Sequence, residues 1–337
     1  LTNYILICHA SDDTAIVPIN TSNPTNINLN PTEYSRVIDM DTLWIVTCAI
    51  LVFFMQLGFS LVEAGTVKFK NVQNILYKNV LDMCIGAICW YVFGYSVAYG
   101  DTNSKYTNSF MGIENMFLEN KDYKNWFFQW SFSITAGTII SGGVAERVTL
   151  EGYFLFTIIM NIWIYPITAH WVWSSNGFLS AANMDNKFLF GGIIDLAGCS
   201  AVHIVGGFSG LIGSILLGPR IQRFSNIKDN KKNKGNDKRL QKIEKLQHEY
   251  TFGNDVSYQV IGMLILWFGW YGFNAGSLLK SNGYMVIGSR IIVNTTLSGC
   301  TGGITTAILS KLYTKYCDEY KHGYFSLTYT LNGVLSG

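Results

Sequence analysis

The chain predicts an all-α fold, a polytopic bundle of helices that cross a membrane. Composition is the first reason. Of its 337 residues 49% are hydrophobic and only 14% are charged, whereas soluble domains carry about 25% charged residues. The second reason is length: apolar runs recur that are close to the roughly 20 residues needed to cross a hydrocarbon core. The third is charge placement, because Lys and Arg gather in every second loop. The formal net charge of +2 implies no nucleic-acid partner.

Residues 1–40 read as an extracellular or lumenal N-terminal segment. Leu1 to Ala10 fits the tail of a signal peptide or a slightly apolar tail equally well. Ser11 to Pro31 is rich in Asn, Thr and Pro and reads as unfolded. Asn20-Thr-Ser22 is a glycosylation sequon, which matters if this end faces outside.

Residues 41–337 read as a membrane domain. Spans are expected at about Thr42–Ala64, Asn79–Ala98, Phe127–Ala145, Tyr153–Trp173, Gly192–Leu217, Ser257–Leu278 and Val286–Leu309. An eighth run starts near Tyr324 and is too short to cross before Gly337. Lys68, Lys70 and Lys78 follow the first span, and Arg147 the third. The loop 218–256 after the fifth span is strongly basic, and Lys311, Lys315 and Lys321 follow the seventh. These loops share one side, which the positive-inside rule makes cytoplasmic. The N-terminus is then outside. Cys48, Cys84, Cys89, Cys199 and Cys300 lie in apolar runs without a CxxC pair, so they read as packing residues.

One residue stands out chemically. His203 lies in the middle of the fifth span, where an ionisable group is expensive and marks function. Glycine and serine flank it, so neighbouring helices can approach closely and His203 is expected to face a shared interior. The topology gathers further groups at one outer mouth. Trp126-Phe-Phe-Gln129-Trp-Ser-Phe132 opens the third span, Tyr165 to Trp173 closes the fourth, Asp195 starts the fifth, and Trp267 to Ser277 closes the sixth. Aromatic faces attract a cation by roughly 0.5–2 kcal/mol each, a hydroxyl accepts an N–H, and a carboxylate favours positive charge. A small cation suits such a mouth.

Plainer readings hold for several of these residues. Trp126, Trp130, Trp171 and Trp267 read as an aromatic belt. Asp195 reads foremost as a helix cap with a secondary electrostatic effect. His170 reads as interfacial, and Glu63 and Glu146-Arg147 as ion pairs or anchors. No Ser or Cys nucleophile with a base and no HExxH spacing appears, which argues against an enzyme and against a cofactor.

These segments together resemble the ammonium transporter (Amt/MEP) family. The carriers are Asp195-x-Ala-Gly-Cys199, Val202-His203, Gly206-Gly207 and Gly218-x-Arg220, with Gln129-x-x-Phe132, Gly142-Gly143-Val-Ala-Glu146-Arg147, Tyr165 to Trp173, and Trp270-x-Gly-Phe273-Asn-Ala-Gly-Ser277. Leu196 departs, standing where the family usually has an aromatic. The resemblance implies an inverted-repeat fold, incomplete in its second repeat here, and a homotrimer in the lipid bilayer. It implies an outer substrate site of Trp173 and Ser277 with Phe132 and Gln129, a gate of Phe132 and Phe273, a pore histidine at His203, and a structural aspartate at Asp195. Trp173 favours the Amt branch over the Rh branch. The family's second pore histidine and C-terminal tail lie beyond Gly337, so the chain is expected to be a piece of a longer protein. The function implied is ammonium or ammonia transport, with methylammonium as an analogue. An ammonium sensor and a non-conducting structural member on the same scaffold are the rival readings.

Overall fold

The structure, a computed structural model, describes residues 31–100, 107–183, 191–220, 253–316 and 323–337. The sequon and most of the basic loop fall outside the described residues. Eight helices account for most of the described chain. They are α1 (Pro31–Thr66), α2 (Phe69–Tyr99), α3 (Tyr123–Val144), α4 (Leu150–Trp173), α5 (Cys199–Leu217), α6 (Val256–Ala275), α7 (Met285–Tyr316) and α8 (Leu327–Ser336).

Local chemistry sets the ends. Pro31 opens α1 with Glu33 in the first turn, a pairing that suits the free N–H groups there. The helix therefore begins within the stretch read as the N-terminal segment. The Thr149 hydroxyl accepts the Gly152 amide at 3.3 Å and starts α4. Asp255 accepts the Ser257 amide at 2.7 Å before α6. Four of the helices contain a wide π turn, at Trp90–Gly94, Met160–Ile164, Cys199–Ile204 and Tyr271–Ala275.

Five helices (α1, α2, α4, α5 and α6) are long and apolar enough to span a membrane. Two further stretches expected to cross, α3 and α7, are helical but more polar. Their hydroxyls explain this, because they bond back to their own backbone. Thr135 donates to the Ser131 carbonyl at 2.8 Å and Thr138 to Ile134 at 2.8 Å in α3. Thr296, Thr301 and Thr306 do the same in α7 at 2.9 Å each. A hydroxyl satisfied within its own helix is cheaper to hold away from water.

Helix α3 occupies the centre, with Phe128, Phe132, Ile134, Ala136 and Ile140 buried in the core. Helix α1 packs along α6 at backbone distance. A Cβ on Gly58 would lie 2.9 Å from the Gly262 carbonyl oxygen and 2.8 Å from Leu266 Cγ, so only glycine permits this approach.

A polar seam crosses the interior between α1, α2, α3 and α4. Gln56 donates to Thr135 at 3.2 Å and accepts from Thr138 at 2.8 Å. Glu63 accepts from Lys78 at 3.2 Å, from Asn79 at 2.8 Å and from the Ser141 hydroxyl. Thr157 donates to Asp82 at 2.7 Å, and Ser133 to Asn161 at 2.7 Å. Buried charge is tolerated only when paired and hydrogen-bonded, as Glu63 and Lys78 are.

Candidate functional site

The site forms where the C-terminal end of α4, the start of α5, the middle of α3 and the π turn of α6 meet. Asp195 organises it. Its carboxylate accepts the amides of Gly198 (2.7 Å), Cys199 (2.9 Å), Ser200 (2.8 Å) and Ala201 (3.0 Å) and the Ser200 hydroxyl (2.5 Å). That is a cap for the first N–H groups of α5. Gly198 makes the turn possible at φ 94°, and a Cβ there would meet Val202 Cγ2 at 2.6 Å. The Trp173 indole N–H donates to the Asp195 backbone carbonyl at 2.7 Å, tying α4 to the same turn.

Four rings stand in sequence. Trp173 meets Phe132 edge-on at 6.1 Å between centroids. Phe132 stacks on Phe273 at 4.1 Å and 15°. Phe273 lies 5.5 Å from the His203 ring. Both phenylalanines are buried, at 1% and 2% exposure. Stacked at this distance, they leave no path for water between them.

Ser277, one turn beyond Phe273, donates its hydroxyl proton to the Phe273 carbonyl at 2.7 Å. The proton is thereby fixed, and the oxygen lone pairs remain to accept. Gln129, on α3 three residues before Phe132, has a buried Oε1 without a hydrogen-bond partner. Of the residues expected at the mouth, Trp173, Phe132, Phe273 and His203 thus stand in one column, with Asp195 bonded to Trp173 beside it.

His203 departs from its expected surroundings. Its residue is exposed among the described residues, as are Ile204, Phe208 and Leu211 of the same helix. The physical reason is that α5 is held by its small face: Gly206 and Gly210 are buried, the former against Ile139 and the latter beside Gly143 of α3. The described residues supply a wall on the Phe273 side of His203 and leave the other side open.

His170, read as interfacial, is fully buried at 0% exposure. Nδ1 lies 2.9 Å from the Ala98 carbonyl and Nε2 2.8 Å from the Asn108 carbonyl. It clamps the segment after α2 onto α4. Of the tryptophans read as a belt, Trp130 stacks on Trp126 (5.9 Å) and Phe53 (5.3 Å). Sequence reasoning passed over Ser200, whose position after Asp195 was a usable capping signal. It also passed over the four π turns, for which a single sequence carries no signal.

A helix-bundle membrane protein with an aromatic column ending at a histidine in the first turn of α5 is the class that the fold and site define. The Ammonium Transporter Family model matches residues 43–337, and the chain belongs to that family. It is 41% identical over 307 residues to "Ammonium transporter 3" of Dictyostelium discoideum, covering 90% of this chain and 63% of that protein. It is 36% identical over 315 residues to "Ammonium transporter 1 member 3" of Solanum lycopersicum, covering 90% of this chain and 62% of that protein. The chain therefore spans under two thirds of the length of these relatives. Among solved structures it resembles the "Sensor Amt Protein" at a TM-score of 0.69 and 26% identity, over 90% of this chain and 68% of that one. It resembles Mep2 of Candida albicans at 0.67 and 26% identity, over 88% of this chain and 58% of that one.

Proposed function

We propose that the full protein carries ammonium or ammonia across a membrane. The observation that carries the reading is the ring column Trp173, Phe132, Phe273, His203, with adjacent centroids 6.1, 4.1 and 5.5 Å apart. A cation reaching the mouth meets the face of Trp173 and the lone pairs of Ser277, with Phe132 and Gln129 beside them. Aromatic attraction of about 0.5–2 kcal/mol suits weak capture. Moving the charge through hydrocarbon is prohibitive, so the N–H bond breaks at the mouth, before the stacked pair of Phe132 and Phe273, and the proton passes to water there. Neutral ammonia passes when the two rings swing apart and then bonds to His203, whose two nitrogens donate or accept. Hydrated sodium is rejected, because the route offers too few oxygens to replace its water.

Residues 41–337 form the membrane domain in this reading. The N-terminus lies outside, the basic loop 218–256 lies in the cytoplasm, and a homotrimer sits in the lipid of the plasma membrane. Basic residues in the odd-numbered loops support the orientation, and membership of the family supports the assembly. The test is methylammonium uptake by the full-length protein carrying His203→Ala. A sharp change in rate or selectivity is expected; an unaltered rate and selectivity would remove the pore role.

A sensor reading rests on one observation, the likeness to the protein described as "Sensor Amt Protein". The coding sequence downstream of Gly337 separates the two: a signalling domain there favours the sensor.

A further inference from the structure

One buried cluster in the polar seam holds more carboxylates than cations. Glu63 of α1 and Lys78 and Asp82 of α2 are 7%, 5% and 2% exposed. Lys78 Nζ lies 3.2 Å from Glu63 Oε2 and 4.7 Å from the centre of the Tyr153 ring. Asn79 donates to the same Glu63 oxygen at 2.8 Å, and the Ser141 hydroxyl donates to the other. Asp82 lies one turn beyond Lys78, where the Thr157 hydroxyl donates to it at 2.7 Å. The regular helix starts at Val72, which puts Asp82 about 15 Å along the axis.

The charges do not balance. The titratable groups that face Asp82 are Glu63 from α1, Lys78 from α2 itself and Tyr153 from α4. Helix α3 presents Gly137 and Ser141, and neither titrates. Two carboxylates therefore share one ammonium, and the ammonium sits on Glu63. A further bare carboxylate at this depth is expensive. The cheaper form carries a proton.

Asn79 supplies an independent observation. Its Oδ1 is buried without a hydrogen-bond partner among the described residues, and the residue is 5% exposed. Nδ2 of the same amide is committed to Glu63, so Oδ1 is held beside the cluster. An amide oxygen only accepts, so what it lacks is a donor. A carboxylate cannot donate, and a protonated carboxyl can. Asp82, three residues on, shares a helix face with Asn79. Lys78, Ser141 and Tyr153 also border a cavity of about 430 Å³ among the described residues at the basic end. The cluster thereby has an edge that water can reach.

We propose that Asp82 is a proton-binding site, loaded from the basic end of the bundle. An O–H bond forms on the carboxylate as one breaks on a hydronium ion, which leaves as water. The proton neutralises the second carboxylate and brings a donor to the face that Asn79 shares. The site stands apart from the aromatic column and does not depend on what the column conducts.

Infrared difference spectroscopy of the full-length protein in lipid nanodiscs tests this, with H2O and D2O buffers to follow exchange. At neutral pH the parent should show the C=O stretch of a protonated carboxyl, and Asp82→Asn should lose it. The band should shift in D2O and fade as the pH is raised. Asp82→Glu should keep a protonated band at a different frequency, and it identifies the residue even where Asp82→Asn does not fold. A carboxyl band that neither variant alters overturns the proposal. So does a band that D2O leaves in place, because that proton does not exchange. Loss of the band on adding sodium at constant pH also overturns it, because the site then belongs to a metal cation.

Discussion

The indole N–H of Trp173 is spent on the backbone carbonyl of Asp195, 2.7 Å away. Trp173 therefore offers an incoming cation its π face and not a donor, and it also braces the turn on which α5 starts. These two roles can be separated. Trp173→Phe keeps a ring and loses the brace; Trp173→Leu loses both. In methylammonium uptake, Trp173→Leu should raise the half-saturation concentration by about 2- to 30-fold, the span of one aromatic contact. Trp173→Phe should recover part of that. An unchanged concentration dependence in Trp173→Leu would count against the mouth.

Ser277→Ala isolates the acceptor. Among the described residues the hydroxyl's hydrogen bond runs to the local carbonyl of Phe273, four residues back, so its removal should change stability by less than about 1 kcal/mol. Melting temperature in detergent should hold while apparent affinity falls severalfold. A fall in both together would make Ser277 a packing residue.

Phe132→Ala opens the stacked pair. Removing a buried phenylalanine costs about 3–5 kcal/mol, and Phe132 is 1% exposed. The variant should melt lower and, where it folds, let water or larger cations pass. Electrophysiology on the full-length protein checks this; tight selectivity in a folded Phe132→Ala protein would deny the pair a gating role.

Glu63→Gln should strip Lys78 of its buried partner. Breaking a buried ion pair typically costs about 3–5 kcal/mol, whereas replacing both members with apolar residues is often neutral. The double variant Glu63→Leu with Lys78→Met should therefore melt nearer the parent than Glu63→Gln does. If the double variant is the less stable of the two, the pair is held for something beyond its own neutralisation.

His170→Leu removes the ring N–H that donates to one of the two facing carbonyls, Ala98 or Asn108, and the packing of the ring against both. Each unsatisfied buried acceptor costs about 1–3 kcal/mol. Limited proteolysis near residues 107–112 should accelerate, with the melting temperature falling. Unchanged cleavage would mean that other bonds hold this segment.

Much of the fold was readable because membrane helices announce themselves. Runs such as Thr42–Ala64 are predominantly apolar, and the loop charges orient them. The limits were physical. The polarity of α3 and α7 is hidden by Ser and Thr bonded to their own backbone, so hydropathy understates how well they sit in a bundle. His170 looked interfacial by position, yet its partners at Ala98 and Asn108 lie more than sixty residues earlier. Asp195 was legible as a cap from its place before Ala-Gly-Cys-Ser. The open side of His203 was not, because which face of a helix is covered depends on neighbours that no local pattern names.

Two of the wide turns carry site residues: His203 lies within Cys199–Ile204 and Phe273 within Tyr271–Ala275. Each such turn holds one residue more than a regular helical turn, and one residue is worth about 100° of rotation. The aim of both rings is thus set by chain count. Deleting a single residue from either turn would leave a smoother helix whose ring points elsewhere, a defect invisible to any measure of helicity and plain to any measure of passage.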